Sequence, residues 1–371
     1  MYNIEINVVY TILNFLIILV PILISVAYLT LLERKVLGYS QLRKGPNIVG
    51  VYGVLQPLAD GVKLFSKEMV VPYHANIFLF VISPVVALAS AILPWFIFPW
   101  GNTYNVSVLF NHRYSILILL AILSLGIFGV MLSGWSSNSK YAFMGSVRAV
   151  AQMISYEVSL LLILMGLIIL SGSLNLVYIY SVQSIYGWHI IPLFPFAICY
   201  FITMLAETNR APFDLAEGES ELVSGYNVEY SGMPFALFFL AEYSHIIFSS
   251  FIFVALFIGN KIGWPIFIIL KLSLKGSAIC ILFIWIRTSF PRVRYDQVMS
   301  LMWKKILPLS IALVWVYLNA NNLLFRGLYY ESFLSINAWM ISIIILFLMI
   351  AMAFIGYILL EVKWIFEALL W

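Results

Sequence analysis

Six ionisable side chains, Glu157, Glu207, Glu242, His245, Lys271 and Lys275, stand inside stretches of sequence that are otherwise apolar. At bilayer depth a charged group costs roughly 2.5–3.5 kcal/mol on insertion scales, so those that persist face protein or water and mark a pathway. Glu242, His245 and Ser249 advance by three and four residues, as do Arg148, Gln152, Ser155 and Ser159 by four, three and four. Each set therefore shares one side of a helix. Two such stripes facing one hydrated interior would carry protons or cations. As isolated pairs, the same Glu and Lys side chains would only lock helix to helix.

The densest polar stretch, 207–229, reads ETNRAPFDLAEGESELVSGYNVE and holds Glu207, Asp214, Glu217, Glu219, Glu221 and Glu229 against a single base, Arg210. Pro212, Gly218 and Gly225 argue against one long helix there. So many carboxylates beside buried Glu207 and Glu242 suggest a surface that collects protons or contacts cations. Other chemistries lack residues. His74, His112 and His189 fall in loops or at ends, which leaves His245 without the matching histidine that a haem between helices requires. The two cysteines, Cys199 and Cys280, are far apart and predict packing, with neither a metal set nor a disulfide. No GxGxxG, GxxxxGK[ST] or nucleophile elbow occurs, so neither nucleotide binding nor covalent hydrolysis has a seat, and nucleic-acid binding has no support.

The elements that must position these groups are membrane helices. The 371 residues are 63% hydrophobic and only 10% charged, against about 25% charged in soluble domains. About 20 helical residues cross a bilayer core, and runs of that order occur near residues 8–32, 77–100, 114–134, 149–170, 190–206, 235–259, 264–286, 306–324 and 336–360. An all-α polytopic membrane protein of about nine spans is predicted, with the fifth at the lower length limit and completed by the acidic stretch after it. Loops after odd spans, with the tail, hold fifteen Lys and Arg against three after even spans, which puts the N-terminus outside and the C-terminus inside. Between Gly53 and Glu68, apolar Leu55, Leu58, Val62, Phe65 and Met69 share one helical face and Gln56, Asp60, Lys63 and Lys67 another. That pattern predicts an amphipathic helix lying in the inner interface. The amino terminus has no Lys or Arg before Arg34, so no removable leader is expected, which fits a bacterial plasma membrane or synthesis inside an organelle.

Four segments carry a family resemblance: LLERKVLGYSQLRKGPNIVGVYGVLQPLADGVKLFSKE (31–68), GWSSNSKYAFMGSVRAVAQMISYEVS (134–159), ETNRAPFDLAEGESELVSGYNVEY (207–230) and WIRTSFPRVRYDQVM (285–299). They resemble the quinone-module membrane subunits of respiratory complex I, NADH:ubiquinone oxidoreductase, of mitochondrial type with a fungal member expected. The resemblance covers about 1–325 as the quinone-module domain and leaves 326–371 as a C-terminal extension with the ninth span. It implies eight family-type spans, ubiquinone as substrate, and no redox chemistry by this chain alone, so that no catalytic or metal-binding residue belongs to it. NAD, FMN and iron–sulfur clusters would sit in partner subunits. The partners implied are the peripheral quinone-module subunits, the antiporter-like membrane subunits and lipid. The location implied is the mitochondrial inner membrane, with the N-terminus in the intermembrane space and the C-terminus in the matrix.

The same resemblance implies roles residue by residue. Arg34, Arg43, Lys44 and Asp60 would line the mouth and narrow part of the quinone tunnel, with Phe235 and Phe238 beside it and Arg287, Arg292 and Arg294 contributed by inner loops. Glu157, Glu207, Asp214, Glu217, Glu219 and Glu242 would form the proton pathway, and Arg210, Glu221 and Asp296 would shape docking loops. Lys275 matches a basic family position ten residues before Trp285, whereas Lys271 is an addition. One departure concerns the start of the sixth span, where the family has Gly directly before Pro and this chain has Gly232, Met233, Pro234. Two rival functions share the buried acids: a self-contained proton or cation transporter without quinone, and the membrane anchor of a related hydrogenase.

Overall fold

The computed structural model describes residues 2–100, 110–215, 225–259 and 265–328. The predicted ninth span and Glu217, Glu219 and Glu221 lie outside the described residues. The chain divides into two units, Met1–Val314 and Trp315–Trp371. Of the second, the described part is helical as far as Leu328.

Among the described residues the chain is helical throughout, without strands. In order come α1 (Tyr2–Ser40), α2 (Gln56–Ser66), α3 (Ile77–Ile92), α4 (Ser115–Ser136), α5 (Lys140–Ser171), α6 (Leu176–Tyr186), α7 (Phe194–Glu207), α8 (Met233–Phe257), α9 (Pro265–Ser289), α10 (Tyr295–Leu301) and α11 (Leu307–Leu328). Seven helical segments among these residues are long and apolar enough to cross a membrane. The predicted fifth span falls short of that: α7 has 14 residues, a length of about 21 Å. The helix starts only at Phe194, with Pro195 in its first turn, where the missing N–H carries no penalty. A further helix that apolar run lengths did not reveal, α6, is started by Asn175, whose side chain accepts from the Val177 N–H at 2.9 Å.

The segment after α7 makes up the missing length with non-helical backbone. Thr208, Asn209, Arg210, Phe213 and Leu215 are all buried. Irregular backbone survives at membrane depth only where protein satisfies it, and here Gln152 of α5 does so. Its amide nitrogen lies 2.9 Å from the Ala206 carbonyl, 3.0 Å from the Asn209 side-chain oxygen and 2.9 Å from the Phe213 carbonyl.

The α8 helix is the most buried of the spans and touches α1, α3, α7 and α9. A ladder of rings fastens residues 225–230 to it. Phe80 stacks on Tyr230 with centroids 4.0 Å apart, and Tyr230 and Tyr226 meet Phe238 edge-on at 5.1 and 5.4 Å. Such pairs contribute about 0.5–1.5 kcal/mol each beyond the area they bury. Lying against α1, the helix α2 turns Leu58, Val62 and Phe65 away from the rest of the chain, all exposed. That is the amphipathic helix the spacing predicts.

Candidate functional site: a carboxylate-lined cavity and a buried ion cluster

Between α3, α4, α5, α7 and α8 lies a cavity of about 80 Å³, room for about five waters. Its wall includes Glu157, Glu207, Glu242, His245, Tyr156 and Tyr226, with Ser90 and Ser124 opposite. Three of the predicted pathway acids, from three different helices, therefore open into one space. The predicted partner stripe on α5 does not. Gln152 is committed to residues 206–213, Ser155 receives the Trp303 indole N–H at 3.1 Å, and Arg148 lies over the Tyr295 ring. The cavity face of α5 is instead Met153, Tyr156, Glu157 and Leu160. Polarity marks both faces of this helix, one bonding to protein and the other lining the cavity, and periodicity does not say which is which.

Glu242 links the cavity to a cluster of ions. One carboxylate oxygen accepts from the Tyr226 hydroxyl at 2.7 Å, while the other lies 3.9 Å from the Arg210 guanidinium. Arg210 in turn is 3.5 Å from Glu33, and its guanidinium lies 4.4 Å from the centre of the Tyr243 ring. Glu33 also accepts from the Tyr243 hydroxyl at 2.5 Å and pairs with Arg287. An unbroken line thus runs from Arg287 through Glu33 and Arg210 to Glu242. The resemblance put Arg210 in a docking loop and Arg287 by the tunnel; Arg210 is buried here and both arginines bind one carboxylate.

Glu33 was missed in the sequence because it closes a charged-looking LLERK end. A signal was present: Ile22, Val26, Leu29 and Glu33 advance by four, three and four, and all four are buried. Neighbouring residues on a helix point about 100° apart, so Arg34 faces elsewhere. It meets Asp60 of α2 at 2.6 Å, and Asp60 also accepts from Gln56 at 2.9 Å. Lys35 reaches the Tyr52 carbonyl at 2.5 Å. Two adjacent residues of α1 thus serve an inner cluster and a surface joint with the interfacial helix.

The remaining predicted residues are not gathered into the cavity. Arg43, Lys44, Arg292, Arg294 and Asp296 are exposed, and Asp214 is half-buried. Phe238 lines the cavity wall, while Phe235 is half-buried and packs against Phe239, ring centroids 4.5 Å apart and tilted by 50°. Lys275 meets the end of α8. It donates to the Ile258 and Gly259 carbonyls at 2.9 and 3.1 Å, closing the C-terminal end of α8 where the helix dipole favours a cation. Lys271 is exposed. Among the described residues, no group of three or more His, Cys, Asp or Glu side chains is placed to hold a metal.

Comparison with known proteins identifies the family. The family described as NADH dehydrogenase matches residues 13–318. This chain belongs to the NADH dehydrogenase family. It is 55% identical over 316 residues to NADH-ubiquinone oxidoreductase chain 1 of Metridium senile, covering 83% of this chain and 92% of that one. The proteins of the same name from Paracentrotus lividus and Chondrus crispus are each 51% identical, over 81% and 83% of this chain and 93% and 94% of theirs.

In this NADH dehydrogenase family chain the departure before Pro234 has a local explanation. Gly232 stands at φ +63°, and a Cβ there would lie 2.8 Å from the Lys67 carbonyl oxygen. The glycine is needed at 232, one residue earlier than in the family pattern, and Met233 begins the helix. Two residues before Gly232, Tyr230 is a second feature of this turn. Burial pushes its phenol above the ordinary range, opposed by hydrogen bonds with Ser136 and Ser83, so it stays protonated and joins α3 to α4 through its hydroxyl.

Proposed function

We propose that this chain is the chain 1 membrane subunit of a proton-pumping NADH:ubiquinone oxidoreductase. It contributes the membrane side of the ubiquinone tunnel and passes the charge change of quinone reduction to proton translocation through its buried glutamates. The tunnel mouth is Arg34 with Asp60, flanked by Arg43 and Lys44, and Phe235 and Phe238 lie along it. Arg292, Arg294 and Asp296, with Glu221, meet the peripheral subunits. Glu157, Glu207 and Glu242, continued by Asp214, Glu217 and Glu219, lead to the antiporter-like subunits. Electrons arrive from iron–sulfur clusters in partners that also bind NAD and FMN. The setting is the mitochondrial inner membrane, with the N-terminus in the intermembrane space and the C-terminus in the matrix.

One observation carries this reading. Arg287, Glu33, Arg210 and Glu242 form a chain of contacts that ends in the cavity shared with Glu157 and Glu207. A negative charge appearing near one end alters the field at every member of that line, because interior charges are poorly screened. Relocating a proton in the cavity is the response such a line allows.

The test is Glu242→Gln in the assembled enzyme, held in sealed vesicles. Loss of at least about a hundredfold in NADH-driven ubiquinone reduction and in proton uptake is expected, the lower range for removing a positioned acid–base group. Unchanged values for both would overturn the glutamate pathway. If the chain, reconstituted alone, moved protons without quinone, the transporter reading would replace this one.

A further inference from the structure

Besides its carboxylates, the cavity holds a titratable side chain with no part in the glutamate line. His245 stands three residues beyond Glu242 on α8, about 4.5 Å further along the helix axis, and lines the same cavity. Its ring is only half-buried and makes no hydrogen bond to another described residue. A neutral imidazole has one donor and one acceptor nitrogen, and both need partners in an apolar surrounding. The cavity is the space from which those partners can come.

The opposite wall is shaped to leave that space open. A Cβ on Gly126 of α4 would lie 3.9 Å from His245 Nε2 and 3.0 Å from the Ser90 hydroxyl oxygen, so the missing side chain keeps an opening between ring and serine. Ser90 and Ser124 donate their hydroxyl protons to the Ala87 and Ala121 carbonyls, each at 2.8 Å. Their oxygens remain as acceptors facing the cavity. The titratable groups around the space are Glu157 and Tyr156 on α5, Glu207 on α7, Glu242 on α8 with Arg210 behind it, and Tyr226, while α3 and α4 contribute serines to the wall.

The geometry points to His245 as a proton-relay residue, passing protons between the carboxylate end of the cavity and the serine-lined wall at Ser90, Ser124 and Gly126. This rests on the proposed reading of the cavity as a proton path and extends it by a member that is not a carboxylate. A proton accepted at one ring nitrogen gives imidazolium. Its release from the other nitrogen leaves the neutral ring in the opposite tautomer, which a turn of the ring or a second exchange resets. Imidazole suits the step because one ring nitrogen can accept a proton while the other releases one, so the group can pass a proton through itself.

The experiment uses the assembled enzyme in sealed vesicles, with NADH-driven ubiquinone reduction and proton uptake followed from about pH 5 to 8, the range in which a histidine changes charge. His245→Gln and His245→Asn keep hydrogen-bonding capacity but cannot be protonated. Each is expected to lose about a hundredfold in both rates, by a factor that varies with pH. Gly126→Ala, which leaves the imidazole in place but narrows its opening, is expected to lower both rates with a smaller change in pH profile. Assembly of each variant is checked by native electrophoresis, and the asparagine variant serves if glutamine prevents assembly. Full activity, or a loss by the same factor at every pH, would overturn the relay and leave His245 a polar filler. Glu242→Gln separates the two ideas. If it loses activity while His245→Gln does not, only the relay falls; if neither loses activity, the reading of the cavity as a proton path falls first.

Discussion

At the scale of single residues, the two ion pairs that begin on α1 differ by an order of magnitude in what they hold. Glu33 is buried and faces two guanidinium groups, Arg210 and Arg287. Breaking a buried pair by removing one partner strands the other charge and costs about 3–5 kcal/mol. Glu33→Gln is therefore expected to lower the thermal stability of the assembled enzyme severely, as read from loss of intact complex on native gels. Arg34 and Asp60 are also in close contact, but their side chains are 54% and 35% exposed. Exposed pairs contribute about 0.2–1 kcal/mol, so Asp60→Asn should leave stability nearly unchanged and affect, through the tunnel mouth, only the apparent affinity for quinone. A large loss of stability in Asp60→Asn would contradict that distinction.

At the scale of elements, glycines separate helices that touch from helices that do not. A Cβ on Gly145 of α5 would lie 2.8 Å from the backbone of Gly225, whereas one on Gly61 of α2 would meet nothing within 4 Å. Gly145→Ala must push residues 225–227 away, at about 1–3 kcal/mol for overpacking, and would draw Tyr226 off Glu242. A fall in both heat stability and quinone turnover is expected. Gly61→Ala should instead stabilise α2 by about 0.5–1 kcal/mol through helix propensity. Thermal inactivation of the two variants, compared with the parent, checks both signs. The elements themselves were largely legible in the sequence, because a span of about 20 apolar residues and a 3-and-4 amphipathic spacing are local properties. The short fifth span was legible too, but what holds the irregular backbone after it was not, because Gln152 lies more than fifty residues away in the chain.

At the scale of the whole molecule, pH acts through groups outside the spans as well as inside them. His189, in the turn between α6 and α7, is buried, and its Nδ1 meets the Leu256 carbonyl at 3.2 Å, tying that turn to the end of α8. Burial lowers its pKa from the ordinary histidine value, opposed by that hydrogen bond. The native state thus favours the neutral ring. The stabilisation is complete above about pH 6.5, the unfolded value, and is lost as pH falls below it, because the unfolded chain then binds more protons. Lys275 caps the same end of α8. His189→Gln is expected to flatten the decline in stability between about pH 6.5 and 5, measured as midpoint temperature against pH. An unchanged slope would place the acid sensitivity elsewhere.

By itself the sequence determined the class of the protein, its helices and the family to which it belongs, since hydrophobic run length, charge bias and long local motifs do not depend on what they pack against. It also singled out Glu157, Glu207 and Glu242, because a carboxylate inside an apolar run is conspicuous wherever it points. Only the tertiary structure decided which polar groups share a space. It turned the Gln152 stripe from cavity wall into a clamp on residues 206–213, and it set Arg210 in a buried cluster with Glu33. It also revealed Glu33 as the carboxylate that joins Arg210 to Arg287. A helical period reports which residues lie on one side of a helix, but the partner on that side is chosen by packing between segments far apart in the chain.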